Sequence, residues 1–245
     1  MKKMNIITPV KDSIELTLQT IKAITASQLS VPFSYTVYND FSTPENTELL
    51  KEASGTYGFT LVNIADITDH PSPNYLLILQ MAQKEAIQEN AALIIVESDV
   101  TVAPDTLQKL FDESVIRKDC GIAAAVTVDS QGAINYPYLY AKGKENSVFS
   151  TRKHVSFCCS LLKPDFLNKY SFEELNPEKS WHDVTISHKS LQLGFNNYLF
   201  TTLPVLHQPH SSRPWKQLKY TNPLKYYWIK WTKGYDKIWQ ADWND

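Results

Sequence analysis

An α/β fold built on a parallel sheet with flanking helices is what this sequence predicts, on three observations. Apolar, β-rich runs alternate with helical stretches through the first 120 residues. The connections between them are short. No Pro/Gly/Ser-rich linker, charge block or internal repeat divides the 245 residues. Strands separated by helices pair in parallel through right-handed crossovers, and a chain of this length buries a sizeable core. Such sheets bind ligands outside the carboxyl ends of their strands.

The elements follow in order. MNIITPV is a first strand. In DSIELTLQTIKAITAS, Ile14, Leu18, Ile21 and Ile24 fall at helical spacing, with Asp12 or Ser13 as N-cap;. FSYTVYN is a second strand; STPENTELLKEAS opens a helix, with Ser42 and Glu45 spaced as a capping box and Pro44 in the first turn;. FTLVNI, the apolar helix NYLLILQMAQKEAIQEN, the strand ALIIV and the helix PDTLQKLFDESV, opened by Pro104, complete the alternation. Beyond residue 120 the pattern changes. CGIAAAVTVD is a small-residue strand, SQGAINYPYLYA a hairpin or loop, and HVSFCCSLLK another strand. PDFLNKY and SWHDVTISHKSLQLGF read as helices, the second ended by Gly194, and NNYLFTTLPVLHQPH supplies one or two last strands;.

Composition narrows the function. With 24 Lys+Arg against 26 Asp+Glu the net charge is −2, which gives no electrostatic case for a nucleic-acid partner;. Three cysteines, two of them adjacent as Cys158 and Cys159, make neither a disulfide framework nor a paired CxxC zinc site, and read as small buried residues of a reducing cytosol;. MKKMNIITPV is too short an apolar run for a signal sequence, and no window approaches the roughly 20 apolar residues that cross a bilayer. The stretch from Arg213 to Asp245 holds five of the six tryptophans, interleaved with tyrosines and lysines. That composition suits a membrane interface, or equally a helix closing over the core or the acceptor site.

Chemistry concentrates at strand ends. In LIIVESDVTVAPDTL, Glu97 and Asp99 stand two apart behind an apolar run, so both carboxylates face one point beyond the strand tip;. Such a pair suits a hard divalent cation and a substrate phosphate, or it caps the next helix. Asp40, ending the second strand, reads as an acceptor for a nucleotide base or ribose, or as an Asx-turn. Thr8, near the end of the first strand, lies beside it. Asp183, with Ser180, has capping-box spacing at a helix entrance, where a general base for a substrate hydroxyl can also sit. His207 is a candidate metal ligand, with His210 as competitor.

Together these pieces resemble the inverting glycosyltransferases of family 2, with the GT-A fold, over roughly residues 4–210. IITPVKDSIELTLQTIKAI looks like the opening strand and helix, with Thr8 and Val10 on the donor side. VYNDFSTPENT resembles VDDGSTD, placing Asp40 at the base-contacting aspartate. LIIVESDVTVAPDTL resembles LDSDDxxxPDxL, placing Glu97 and Asp99 on the metal and Ser98 against the substrate. SFCCSLLKPDFL resembles the small-residue strand of the acceptor side, with Cys159. HDVTISHKSLQLGF resembles EDxDLxxRLxxxGY, with Asp183 as the catalytic base, Gly194 in register and His182 where a glutamate is usual. LPVLH resembles the element ending in a metal-associated histidine, here His207.

The resemblance implies a GT-A-type, Rossmann-like mixed sheet flanked by helices, as one domain over residues 1–210 with an aromatic, basic helical extension over 211–245. It implies Mn²⁺ or Mg²⁺ as cofactor, a nucleotide-diphosphate sugar as donor, by default a UDP-sugar, and a carbohydrate or lipid-linked acceptor. The product belongs to surface polysaccharide or glycolipid synthesis. The expected location is cytoplasmic, with residues 214–240 as the candidate contact with the inner face of a membrane. The rivals are a non-catalytic nucleotide-sugar-binding module and a nucleotidyltransferase, though TPVKDS lacks the Gly-rich phosphate loop the latter usually shows;.

Overall fold

The computed structural model describes residues 2–178, 181–209, 218 and 222–232. The chain divides into two compact units, Met1–Gln208 and Pro209–Asp245. In the first, the strands are β1 (Met4–Val10), β2 (Phe33–Asn39), β3 (Thr60–Asn63), β4 (Ala92–Val96), β5 (Val100–Thr101), β6 (Cys120–Val128), β7 (Val148–Thr151), β8 (Cys159–Leu162) and β9 (Asn196–His207). The helices are α1 (Ile14–Thr25), α2 (Pro44–Tyr57), α3 (Tyr75–Gln88), α4 (Thr106–Ile116), α5 (Pro164–Leu167) and α6 (His182–Gln192).

The described strands form one nine-stranded sheet in the order β3-β2-β1-β4-β8-β6-β9-β5, with β7 also paired to β9. The first four strands are mutually parallel, as their crossover helices require;. β8 then runs antiparallel between β4 and β6, so the sheet is mixed. All five residues of β4 are 0% exposed, the burial expected of a strand covered on both faces;. Helices lie on both sides. One apolar cluster joins Ile21 and Ile24 of α1, Leu50 of α2 and Leu107 and Leu110 of α4 to one face; another joins Ile78 and Leu79 of α3, Phe166 of α5 and Ile186 of α6 to the other.

Several local expectations shift. The cap of α2 is Thr43, which accepts from the Asn46 amide, rather than the Ser42–Glu45 box. Ser42 instead accepts from the Asp12 amide, while the Asp12 carboxylate crosses to the Thr43 amide and the Asn46 side chain. Ser13 holds the N-cap position of α1 with no side-chain bond, so neither proposed side chain caps α1, and that of Asp12 serves the start of α2 instead. The helix introduced by Pro104 begins at Thr106, and HVSFCCSLLK contributes only Cys159–Leu162 as strand. β7 has no apolar run to announce it. NNYLFTTLPVLH is one strand whose pairing with β6 shifts register between Ala125 and Val126, which is why it also reads as two.

Two backbone features place α6. Gly194, at φ +84°, ends it: the Phe195 amide donates to the Ser190 carbonyl and the Gly194 amide to the Leu191 carbonyl, a left-handed cap that most side chains resist;. Gly121 of β6 lets it approach, since a Cβ there would clash with Ser190 Oγ and lie 2.8 Å from Phe195 Cβ. In the second unit, α7 spans Pro223–Thr232. Ser180, His210 and the remainder of the aromatic stretch lie outside the described residues.

Candidate active site

Register gathers the site at the carboxyl end of β4. Because β8 runs back along β4 with Val96 opposite Cys159, the next pair outward is Glu97 and Cys158, and the Glu97 amide donates to the Cys158 carbonyl. Cys158 Sγ lies 3.2 Å from Glu97 Oε2. On the other side β5 pairs with the end of β9, Val100 opposite His207, and the Gln208 amide donates to the Asp99 carbonyl. His207 Nε2 thereby comes to 3.6 Å from Asp99 Oδ2 and 4.0 Å from Cys158 Sγ. Its Nδ1 sits 2.9 Å from the Tyr136 carbonyl, which can only accept, so Nδ1 carries the proton and Nε2 is turned toward the acids;. Side chains from three separate segments of the chain, Glu97 to Asp99, Cys158 and His207, are thus aimed at one point.

The acids are crowded. Glu97 is pushed up to about 7, by enclosure in protein first and then by the charge of Asp99, with Asp183 adding to it; His207 and the Cys158 thiol act in the opposite direction;. Enclosure alone would lower His207, but Asp99 and then Glu97, with the Tyr136 carbonyl, outweigh it and hold the imidazole above its ordinary value. Burial pushes the Cys158 thiol well up, so in the metal-free protein it is neutral and donates to Glu97.

α6 brings Asp183 to the same place. Ser187 Oγ accepts from the Val155 amide and donates to the Val155 carbonyl, tying α6 to the segment that leads into Cys158. Tyr138 braces that segment through both backbone groups of Ser156. Asp183, in the first turn, is half-buried and accepts from the Val184 amide, where the helix end favours a negative charge;. Its field is felt at Glu97 and at the hydroxyls of Tyr75 and Tyr138. The buried Tyr75 hydroxyl has no hydrogen-bond partner among the described residues, and burial, with Glu97, Asp183 and Cys158 around it, raises it well above its usual value; it remains a donor. His182 stacks on the Tyr75 ring at 6.3 Å and is held below its ordinary value by burial, hence neutral.

The ends of β1 and β2 are different in character. Asp40 is buried; Oδ2 accepts from Ser72 Oγ at 2.7 Å and the Asn74 amide at 2.9 Å, and Oδ1 from Asn74 Nδ2 at 2.8 Å. Three of its roughly four acceptor positions are thereby used within the protein. Its own amide donates to the Val10 carbonyl. Thr8 has no exposed surface, and its hydroxyl accepts from Tyr35. Ser98 is buried between Glu97 and Asp99, and Cys159 faces the apolar core.

Of the residues singled out from sequence, the fold therefore gathers Glu97, Asp99, Asp183, His182 and His207; Asp40, Val10 and Thr8 form a separate group at the ends of β1 and β2. Cys158 and Tyr75 belong to the first group without a sequence signal strong enough to choose them. In a Cys-Cys pair, alternation says that one faces each way, and only the register on β4 decides which; Tyr75 begins an apolar helix and looks like core.

A divalent cation fits this donor set. Single ligand atoms of Glu97, Cys158 and His207 all lie within 4.8 Å of one another, with Asp99 beside His207. A carboxylate raised to about 7 by enclosure first, and then by the charge of a neighbouring carboxylate, is one that a cation relieves;.

Similarity to known structures agrees with the fold. The chain is similar to S. aureus TarS 1–349, with 13% identity and TM-score 0.59, covering 84% of this chain and 60% of that one; TarS 1–349 is also known in complex with UDP-GlcNAc. It is similar to the mannosyltransferase PcManGT of Pyrobaculum calidifontis in complex with GDP-Man and Mn²⁺, with 13% identity and TM-score 0.60, covering 94% and 64%. It is also similar to GalNAc-T7 with UDP, GalNAc and Mn²⁺, with 11% identity and TM-score 0.64, covering 86% and 45%. The chain thus spans about half to two-thirds of the length of these proteins. The fold is of the GT-A type, a mixed sheet flanked by helices. No protein-family model and no curated protein matches the chain in sequence.

Proposed function

We propose that this chain is an inverting glycosyltransferase that moves a sugar from a nucleotide-diphosphate sugar to an acceptor hydroxyl, with residues 1–210 as the catalytic domain. The observation that carries the proposal is the convergence of Asp183, from a late helix entrance, on the Glu97, Asp99 and His207 cluster at the end of β4. Support comes from the fold, which is shared with proteins held with GDP-Man, UDP or UDP-GlcNAc. A UDP-sugar is the proposed donor.

Glu97, Asp99 and His207 hold the cofactor, for which Mn²⁺ is favoured over Mg²⁺: imidazole suits the transition ion, whereas Mg²⁺ gives up its water reluctantly. When bound, the cation supplies charge that offsets the negative charge growing on the departing diphosphate. Asp183 accepts the proton of the acceptor hydroxyl. That oxygen forms a bond to the anomeric carbon from the face opposite the leaving group, and the bond from that carbon to the diphosphate oxygen breaks, inverting the centre. The neutral His182 and the Tyr75 hydroxyl stand where they can orient the acceptor. Val10 and Asp40 serve the nucleoside side, Asp40 through its remaining acceptor position and Thr8 by supporting the strand end. Ser98 lies along the donor.

A lipid-linked acceptor, in surface polysaccharide or glycolipid synthesis at the inner face of the cytoplasmic membrane, is the substrate class we favour. Among the described residues no helix is long and apolar enough to cross a membrane. On α7, however, Leu224, Tyr227, Trp228 and Trp231 are exposed and spaced i, i+3, i+4, i+7, the pattern of a helix lying on an interface;.

The test is nucleotide release from UDP- and GDP-sugars with candidate acceptors, with and without Mn²⁺. Release requires Mn²⁺, and Asp183→Asn lowers it by ~10²–10⁴-fold with nucleotide binding unchanged. Equal turnover in Asp183→Asn would remove the proposal; tight nucleotide binding without turnover would favour a binding module.

A further inference from the structure

Cys158 belongs to the only group of three or more metal-capable side chains found among the described residues, yet the function proposed above uses only its carboxylate and imidazole members. Its setting is unlike that of the other two cysteines. Cys120 and Cys159 are fully buried in the apolar core. Cys158 Sγ instead touches Glu97 Oε2 at 3.2 Å, Ser156 Oγ at 3.3 Å and His207 Nε2 at 4.0 Å. Donor atoms that share one ion at ~2.0–2.3 Å lie roughly 3–4 Å apart, so the spacing suits common ligation.

The position is fixed rather than incidental. The Glu97 amide holds the Cys158 carbonyl, Tyr138 holds both backbone groups of Ser156, and Ser187 holds both of Val155. His207 presents Nε2 because Nδ1 faces the Tyr136 carbonyl.

We propose that Cys158 is a sulfur donor to the cation held by Glu97 and His207, so that this site takes thiophilic divalent ions such as Cd²⁺, Co²⁺ and Zn²⁺ and discriminates strongly against Mg²⁺. The inference rests on the metal reading of the site and adds to it a soft ligand. On binding, the S–H bond breaks, the proton leaves to solvent and the sulfur keeps the electron pair that it gives to the ion. Glu97 exchanges the thiol proton it accepts for the cation. Soft thiolate ligands bias a site toward such metals, while oxygen donors alone suit Mg²⁺ and Mn²⁺.

Cobalt reads both ideas separately on the full-length chain. With Co²⁺, the wild type shows visible d–d bands and a near-ultraviolet sulfur-to-cobalt charge-transfer band; Cys158→Ser keeps the first and loses the second. Affinity for Cd²⁺ falls ~10-fold or more in the variant, the scale on which even a partner of a metal ligand acts, while affinity for Mn²⁺ changes far less. d–d bands without a charge-transfer band in the wild type would overturn the sulfur ligand and leave the metal site standing. Absence of both in folded protein would overturn both. Should Cys158→Ser not fold, the ¹¹³Cd chemical shift of the wild type settles the question, since it moves downfield with sulfur ligation and stays in the oxygen and nitrogen range without it.

Discussion

Two strand tips on either side of β1 carry acids, and their treatment by the fold is opposite. At the end of β2, Asp40 is enclosed by donors from Ser72 and Asn74, so a buried carboxylate becomes the clamp of the segment leading into α3. At the end of β4, Glu97 lies in the field of Asp99 and of Asp183, with the Cys158 thiol donating to it and His207 beside Asp99. Both sites are enclosed acid, but Asp40 meets hydrogen-bond donors, whereas Glu97 meets a second carboxylate besides the Cys158 thiol and His207. The difference teaches that strand-end placement alone does not tell what a carboxylate faces: hydrogen-bond donors at one tip, a second carboxylate at the other.

Substitutions sharpen the contrast, beginning with the largest effect. Asp40→Ala strands three donors around a buried void and costs about 3 kcal/mol in urea unfolding; a change of a few tenths would mean that Asp40 is no clamp. Glu97→Gln runs the other way. It removes a charge from a crowded group, so the metal-free protein gains about 1 kcal/mol at about pH 8, while the stabilisation given by Mn²⁺ in wild type is lost. A destabilised metal-free variant would refute the repulsion.

The pH dependence has a sign that follows from the same crowding. Glu97 at about 7 and His207 both lie above their ordinary values in the folded protein. Each contributes stability that is complete below its unfolded value and is lost as pH rises through the folded one. The metal-free protein therefore melts lower at about pH 8 than at about pH 6, and Mn²⁺, which binds the deprotonated ligands, reverses the order. Melts that rise with pH in the absence of metal would contradict this. The smallest effect belongs to Tyr75→Phe. Deleting a buried hydroxyl that has no hydrogen-bond partner among the described residues leaves stability unchanged or raises it by up to ~1 kcal/mol;, yet turnover falls because the site loses a donor; unchanged turnover would make Tyr75 a packing residue.

The fold was legible where local chemistry and pattern agreed. ALIIV reads as a strand buried on both faces and is one, and the alternation of strands and helices before residue 120 gives the parallel half of the sheet. The antiparallel half is less visible. VFST has no alternation strong enough to mark β7, and β5 is two residues long, yet β5 is what carries Asp99 to His207. Capping predictions missed because Asp12, Ser42 and Thr43 exchange partners across a turn, which spacing along one helix cannot show. Within the site, acid-x-acid spacing finds Glu97 and Asp99 because both come from one segment. Cys158 depends on a register 61 positions away in the chain, and no local pattern encodes that.

Titration of the full chain with Mn²⁺, followed by the loss of the free-ion electron paramagnetic resonance signal, tests the central claim most directly. The account predicts one tightly bound Mn²⁺ per chain, bound more tightly with UDP present and lost in Asp99→Asn. If the wild type leaves all Mn²⁺ free, with and without UDP, or if Asp99→Asn binds as wild type does, the acids at the end of β4 are not a cation site.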